Sequence, residues 1–127
     1  MEKVKKEIKC GIEIYDYTGK DYQTAMRFGS WRVAYLNHAE RFDKANFEKV
    51  ERHNESDEVF VLLTGRATLI IGEELHEIEM EPHKLYNVPK GVWHHIFTQE
   101  DTSVLIVENE DTGDDNSEFL YISNLLK

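Results

Sequence analysis

The sequence predicts an all-β protein that folds as a single domain of short strands. Short segments rich in Val, Ile, Leu, Tyr and Phe recur along the chain, and turn-forming residues separate them. Residues 59–63 (V-F-V-L-L) and 68–71 (T-L-I-I) are apolar at successive positions, so both faces of these strands require cover. Regularly spaced short strands of this kind are typical of a β-sandwich or a β-barrel and not of alternating β-α units.

The predicted strands follow one another from residue 11 to residue 107. They are, in order, residues 11–17, 31–38, 46–53, 58–63, 67–71, 75–80, 85–88, 93–98 and 103–107. Residues 108–118 (E-N-E-D-T-G-D-D-N-S-E) are too acidic and polar to bury surface, which predicts a solvated loop. The apolar tail, residues 119–127, is predicted to dock on the domain as a closing strand or a short helix.

Composition and charge exclude several classes of function. The chain has 127 residues and a mass of 14.9 kDa, which suits one domain. Its formal net charge of -10 argues against a nucleic-acid partner, because phosphate binding depends on clustered Lys and Arg. The charged start is no signal peptide and no apolar run could span a membrane, so we expect a cytoplasmic protein without a membrane partner. Cys10 is the only cysteine, which excludes an internal disulfide and a cysteine-rich zinc site.

Two histidine-containing motifs lie beside predicted strands and mark the candidate site. The first (R-H-N-E-S-D-E-V-F-V-L-L-T-G) spans residues 52–65, and the second (V-P-K-G-V-W-H-H-I-F) spans residues 88–97. Neutral imidazole and ionised carboxylate both donate lone pairs to divalent transition metals, and two histidines with one carboxylate can hold one face of an octahedral ion. His53, Glu58 and His94 could supply such a set, which leaves the opposite face open for water, dioxygen or a chelating molecule.

The spacing of these residues resembles the two sequence motifs of the cupin superfamily. The first family motif, G-x5-H-x-H-x(3,4)-E-x6-G, corresponds to Glu51-x-His53-x4-Glu58-x6-Gly65. The second, G-x5-P-x-G-x2-H-x3-N, corresponds to Pro89-x-Gly91-x2-His94. The resemblance spans roughly residues 45–98. Four positions depart from the family pattern, namely Ala45 for the opening glycine, Glu51 for the first histidine, His83 for the second glycine and Thr98 for the final asparagine.

This resemblance implies a cupin-like jelly-roll β-barrel that encloses a metal and carries an N-terminal strand extension. It divides the single domain, residues 1–127, into an extension packed on the barrel (1–44), a cupin core (45–108), and an acidic loop with the C-terminal segment (109–127). The residues that match the family's ligand positions imply a divalent transition metal ion, Fe, Mn, Ni or Zn. They are His53, Glu58 and His94, with Glu51 at the position of the fourth ligand.

Two arrangements of Glu51 are open. As a fourth ligand it gives a centre of two histidines and two carboxylates, which formally neutralises a divalent ion and attracts anionic substrates less. Alternatively, its carboxylate turns away or accepts a hydrogen bond from a ligand histidine, which leaves two histidines and one carboxylate on the metal. Since Phe60 and Leu62 share a strand face with Glu58, and Ile96 shares one with His94, these three apolar side chains are predicted to line the pocket.

Two functions from different classes fit this site. One is a metal-dependent enzyme of the dioxygenase, isomerase or decarboxylase type that acts on a small polar metabolite. The other is a non-catalytic cupin module that binds a small molecule through a degenerate metal site. The histidines at positions 38, 76, 83 and 95 are interpreted as surface residues and not as ligands.

A homodimer is also predicted, because three apolar residues point away from the ligand face of one strand. These residues are Val59, Val61 and Leu63. An exposed sheet face with such a row marks an interface, and a two-fold axis lets one patch serve both chains. The competing prediction is that residues 1–42 fold back over this face within one chain.

Overall fold

The computed structural model describes residues 3–125, and its main strands form two five-stranded antiparallel sheets arranged as a jelly-roll barrel. The strands, in chain order, are β1 (Lys5–Lys9), β2 (Ile12–Asp16), β3 (Asp21–Phe28), β4 (Trp31–Asn37), β5 (Lys49–His53), β6 (Glu58–Thr64), β7 (Ala67–Ile71), β8 (His76–Glu79), β9 (Leu85–Val88), β10 (His94–Thr98), β11 (Ser103–Asn109) and β12 (Ser117–Tyr121). The first sheet has the order β3-β4-β11-β6-β9, and the second has the order β12-β5-β10-β7-β8.

Helical structure is confined to short segments. Single 3-10 turns cover Glu40–Phe42, Lys44–Asn46 and Asp114–Asn116, and a four-residue helix α1 (Ile122–Leu125) follows β12. None of the helices within residues 3–125 is long and apolar enough to cross a membrane. The all-β prediction is therefore confirmed.

The core lies between the two sheets and consists of alternate residues from each strand. Phe60 and Leu62 enter from β6, Leu69 from β7 and Ile106 from β11, and each is at most 3% exposed. Burial of such side chains removes apolar surface from water at roughly 25 cal/mol for each Å² and stabilises the barrel. A smaller cluster covers the opposite face of the second sheet, where Ile70 is 2% exposed.

Two strands, β1 and β3, were not predicted from the sequence. Strand β1 has the sequence K-K-E-I-K, and β3 has D-Y-Q-T-A-M-R-F, so neither shows apolar alternation. The apolar tail contains both predicted alternatives, since β12 is followed directly by α1. The structure also places the first residues of the predicted strand 46–53 in a 3-10 turn, and β5 begins at Lys49.

The N-terminal residues do not form one extension. Strands β3 and β4 pair with the barrel, because β4 is hydrogen-bonded to β11 along its whole length, so the predicted boundary at residue 44 is not a structural boundary. Only β1 and β2 stand apart, as a two-stranded hairpin whose side chains are nearly all exposed. Cys10 lies exposed in its turn, where both Cys10 and Gly11 have positive φ angles.

Gly65 ends β6 at a point where only glycine fits. Its φ is +80°, and an added Cβ would lie 2.4 Å from Thr102 Oγ1 and 2.5 Å from Thr102 Cα. The final glycine of the first motif therefore allows the β6–β7 turn to pack against the β10–β11 turn. This close approach fixes where Glu58, at the other end of β6, enters the barrel.

The acidic segment contains an exposed loop, as its composition predicted, but its ends are strands and part of it is buried. Thr112 is 8% exposed, and β12 pairs with β5 so that Ser117 lies opposite His53. Charge alone did not reveal the hydrogen bonds that hold the rest of the segment. The carbonyl oxygens of Glu110 and Thr112 accept hydrogen bonds from the partly buried Arg32, which holds this segment against the barrel.

Candidate metal centre

Three neighbouring strands bring the predicted ligands together inside one end of the barrel. Glu51 and His53 are two residues apart on β5 and therefore point to the same face. Strand β10 is antiparallel to β5, with His94 paired directly with Glu51. Glu58 begins β6 in the facing sheet, and its carboxylate reaches across to both histidines.

Glu58 is the centre of the cluster. Its Oε1 atom lies 3.0 Å from His53 Nε2 and 3.0 Å from His94 Nε2. The three residues are between 3% and 8% exposed, so the contact is shielded from bulk water. Neighbouring donor atoms held about 2.1 Å from one octahedral ion are about 3.0 Å apart, so each of the two contacts of Glu58 Oε1 matches the spacing of a transition-metal site.

The position of the protons on His94 supports the same conclusion. Its Nδ1 atom lies 3.0 Å from the carbonyl oxygen of Val92, which can only accept a hydrogen bond. The neutral ring therefore carries its proton on Nδ1 and directs the lone pair of Nε2 at the carboxylate of Glu58. Two lone pairs that face each other at 3.0 Å require a cation between them, which is either a proton or a metal ion.

His53 is oriented by a different element. Its Nδ1 atom lies 2.7 Å from the hydroxyl oxygen of Ser117 on β12. This hydrogen bond at Nδ1 fixes the orientation of the ring, and Nε2 faces Glu58. The composition of the acidic segment gave no sign of this role for Ser117.

The pKa values of the three groups shift in the directions that favour their charged forms. Burial, the largest single influence, raises the pKa of Glu58 and lowers the pKa of both histidines. The hydrogen bonds and charges within the cluster outweigh burial, so the net pKa of Glu58 is lowered and those of His53 and His94 are raised. Each group thus favours its charged form beside the others.

Glu51 lines the same cavity as His53, Glu58 and His94. Its carboxylate and the nitrogens of His53 and His94 all lie within 4.8 Å of one another, a spacing compatible with one metal ion. It is partly exposed, whereas the other three candidates are buried. All four predicted ligands line one cavity, where they belong to two groups of possible metal ligands that share His53: Glu51 with His53 and His94, and Glu58 with His53 and Glu108.

Glu108 is a site residue that the sequence reading missed. It lies opposite Glu58 on β11, is 6% exposed, and places a carboxylate oxygen within 4.8 Å of donor atoms of His53 and Glu58. The Tyr22 hydroxyl donates to Glu108 Oε2 at 2.5 Å, and Arg32 Nη2 is 3.4 Å from the same oxygen. Burial and then the charge of Glu58 raise the pKa of Glu108 to about 7.

A signal for Glu108 was present in the sequence. It follows Val104 and Ile106 at a spacing of two, so it shares their buried face. The acidic residues that follow Glu108 instead favour its assignment to the predicted loop.

The cluster opens into a cavity of about 250 Å³. Phe60 and Ile96 line this cavity, as predicted from their shared strand faces. Leu62 was placed in the same group, but the structure puts it deeper in the barrel core, where it is 1% exposed and does not line the cavity. Leu62 is on the inner face of β6, but it lies four residues along the strand from Glu58 and so is distant from the cluster.

His95 differs from its sequence interpretation as a surface residue. Its ring stacks on Phe47 at 5.0 Å, and its Nε2 atom is buried without a hydrogen-bond partner in the described part of the chain. Burial, followed by the charge of His94, lowers the pKa of His95 to about 4, so it is neutral and packs as an aromatic ring. His76 and His83 are exposed, and His38 hydrogen-bonds Thr98 away from the cluster.

Comparison with known proteins supports this description. The sequence profile of the cupin domain matches residues 40–108. No curated protein sequence matches the chain. Many solved structures share the fold.

Three of these structures illustrate the range of similar proteins. A cupin-2 domain containing protein from Shewanella frigidimarina is 19% identical, with a TM-score of 0.58, and the match covers 74% of this chain and 85% of that one. The Streptomyces protein Pac13, described as a nucleoside dehydratase, is 12% identical with a TM-score of 0.57 and coverage of 93% and 85%. KdgF from a Halomonas species is 12% identical with a TM-score of 0.54 and coverage of 74% and 80%. At these identities the likeness concerns the fold alone.

Proposed function

The chain belongs to the cupin family, and on that basis we propose that it binds one divalent transition metal ion and acts there on a small polar metabolite. The proposed ligands are His53, Glu58, His94 and Glu51. The observation that carries the proposal is the pair of imidazole nitrogens that converge on one carboxylate oxygen of Glu58, each at 3.0 Å. Neutral His94 directs a lone pair at this oxygen, and a divalent metal ion would join the two groups.

The groups around the cluster define what the cavity can do with a bound molecule. A divalent metal held there supplies a Lewis acid that polarises an oxygen of the ligand. Glu108 lies beside the cluster and can accept a hydrogen bond from a hydroxyl group of that ligand, while Tyr22 holds its other side in place. Phe60 and Ile96 exclude water from the wall behind it. This arrangement favours an enzyme of the isomerase or decarboxylase type over a passive binding module.

The alternative is a non-catalytic module that binds a small molecule. It is favoured by Glu51, because a carboxylate replaces the first histidine of the family motif and formally neutralises the metal. A neutral centre polarises a substrate less than a centre with one net positive charge. The enzyme needs the metal and a module with a degenerate site does not, so the first test concerns the metal.

That test is the metal content of protein purified without an affinity tag and without added metal. We expect about one divalent transition metal per chain by elemental analysis, and most of it should be lost in His53→Ala and in His94→Ala. His76→Ala is the matched control, because His76 is exposed on β8 and its neighbour is Glu74. Metal retained in the double variant His53→Ala/His94→Ala would reject the proposal.

A further inference from the structure

We infer that the cavity selects neutral, hydroxyl-bearing molecules of the polyol or sugar class over carboxylates and phosphates. This inference rests on the proposed function, since it concerns the molecule that binds beside the metal. It follows from the charges that line the cavity and from the partners that already neutralise them.

The carboxylates around the cavity leave a bound metal without net positive charge. Glu51 and Glu58, as two ligands, formally balance the charge of a divalent ion. Glu108 and Asp114 also line the cavity, and Glu108 comes within 4.8 Å of donor atoms of the cluster. An anionic ligand would thus approach a centre whose charge is already balanced.

Arg32 lines the cavity, but its guanidinium group is already paired with protein groups. Its Nε donates to the Tyr22 hydroxyl at 3.0 Å, and its Nη1 and Nη2 donate to the carbonyl oxygens of Glu110 and Thr112 at 2.8 and 2.9 Å. Its charge faces Glu108 at 3.4 Å. This guanidinium therefore holds the protein together at the wall of the cavity.

Arg41 at the rim of the cavity is also neutralised. Its Nε lies 2.9 Å from both carboxylate oxygens of Asp21, and its Nη2 lies 2.6 Å from one of them. No lysine within residues 3–125 lines the cavity. Both positive charges of the lining are therefore paired before any ligand arrives.

The remaining polar atoms call for hydrogen-bond donors. Carboxylate oxygens only accept hydrogen bonds, and leaving them unpaired on ligand binding is costly. Hydroxyl groups supply donors without bringing a charge, whereas a carboxylate or phosphate would add further acceptors. The volume of about 250 Å³ is just below the roughly 300 Å³ at which ligand pockets usually begin, so the ligand is small.

The test compares two probes that share a carbon chain and differ in charge, D-glucitol and D-gluconate. The protein is loaded with Co(II), and the paramagnetic broadening of each probe's proton NMR signals reports its approach to the metal. We expect D-glucitol to be broadened more than D-gluconate. Stronger broadening of D-gluconate, or no broadening of either probe, would overturn the inference.

Asp21→Asn provides a sharper arm of this test, because it releases the charge of Arg41 without touching a proposed ligand. Asparagine also suits the left-handed backbone at this position, where φ is 71°. We expect broadening of D-gluconate to rise about two- to fivefold, the effect of one surface charge. Glu79→Gln is the matched control, since it frees Arg66 from a similar ion pair. In that pair Arg66 Nη2 lies 3.0 Å from Glu79 Oε1, and neither residue lines the cavity.

Equal responses of Asp21→Asn and Glu79→Gln would reject this account of the cavity's charge. The two proposals fail in different ways. Protein that does not take up Co(II) rejects the proposed function itself. Protein that takes up Co(II) and prefers D-gluconate rejects only the inference about the ligand class.

Discussion

The two faces of the sheet β3-β4-β11-β6-β9 are built from alternate residues of the same strands and differ sharply in character. Along β6, Glu58, Phe60 and Leu62 face the barrel interior and are buried. Val59 and Val61 lie between them, face outward and remain partly exposed. A metal site on the inner face requires particular side chains at particular positions. An interface on the outer face requires only a continuous apolar surface.

The outer face is continuous across the sheet. Val33 on β4, Val107 on β11 and Val59 on β6 are neighbours in register, and all three are partly exposed. Phe28 and Leu85, at the two edges of the sheet, are 71% and 67% exposed. Strands β3 and β4 belong to this sheet, so they enlarge its outer face and do not cover it. The competing prediction, that N-terminal residues fold back over the face, therefore does not hold for these two strands. We therefore propose a second copy of the chain as its partner.

If the two faces are independent, a change on one should leave the property of the other intact. The largest expected effect is that of Glu58→Gln on the inner face. Replacing groups that merely orient a ligand lowers metal affinity about 10- to 100-fold, so loss of the central carboxylate should cost at least about 100-fold. Competition with a chelator measures this, and unchanged metal affinity would show that Glu58 is not a ligand.

On the outer face, Val61→Glu should convert a dimer into a monomer that still binds metal. A buried carboxylate in an apolar interface is costly, whereas the same residue on a free surface is tolerated. Size exclusion with light scattering measures the mass. Ile78→Glu is the control, since Ile78 is 42% exposed on the other sheet. A wild-type protein that is monomeric at micromolar concentration would contradict the proposed dimer.

Glu51→Gln should have a smaller effect on the inner face, because Glu51 is the partly exposed member of the cluster. The amide keeps the shape of the side chain but loses the charge, so we expect a reduction of about tenfold in metal affinity and an unaltered dimer. Chelator competition again provides the measurement. An unaltered affinity would show that Glu51 does not contact the metal.

The smallest expected effect is the pH dependence of the metal-free protein. The raised pKa values of His53 and His94 mean that their stabilisation is present below about pH 6.5 and is lost as the pH rises through the folded-state values. Glu108, whose pKa is raised to about 7, adds to this loss as the pH rises toward 7. The Tm of metal-free protein should therefore fall between pH 6.5 and pH 8.

Scanning calorimetry at these two pH values, with and without metal, tests the prediction. The lowered pKa of His95, about 4, acts in the opposite sense, but most of its effect on stability develops between pH 4 and pH 6.5, below the interval measured. A Tm of metal-free protein that rises over this interval would contradict the protonated cluster. Val61→Glu should show the same trend as wild type, since it lies on the other face.

Sequence predicted the inner face better than its surroundings, and the reason is physical. The period of two along β5 and β6, together with fixed motif spacing, was sufficient to identify His53 and Glu58 as neighbours. Ser117 and Glu108 were missed because their roles depend on which strands pair, and β12 pairs with a strand more than sixty residues earlier. Arg32 was likewise not predicted as a site residue, since most of its partners, Glu108 and the carbonyl oxygens of Glu110 and Thr112, are distant from it in the sequence.

The contact between Ser117 and His53 has a consequence for how the protein matures. Synthesis proceeds from the N-terminus, and domains begin to fold while the chain emerges. All four proposed ligands leave the ribosome before β12, yet the ring of His53 is held by a hydroxyl group on that strand. The orientation of His53, and with it the geometry of the proposed metal centre, therefore depends on one of the last strands to be synthesised.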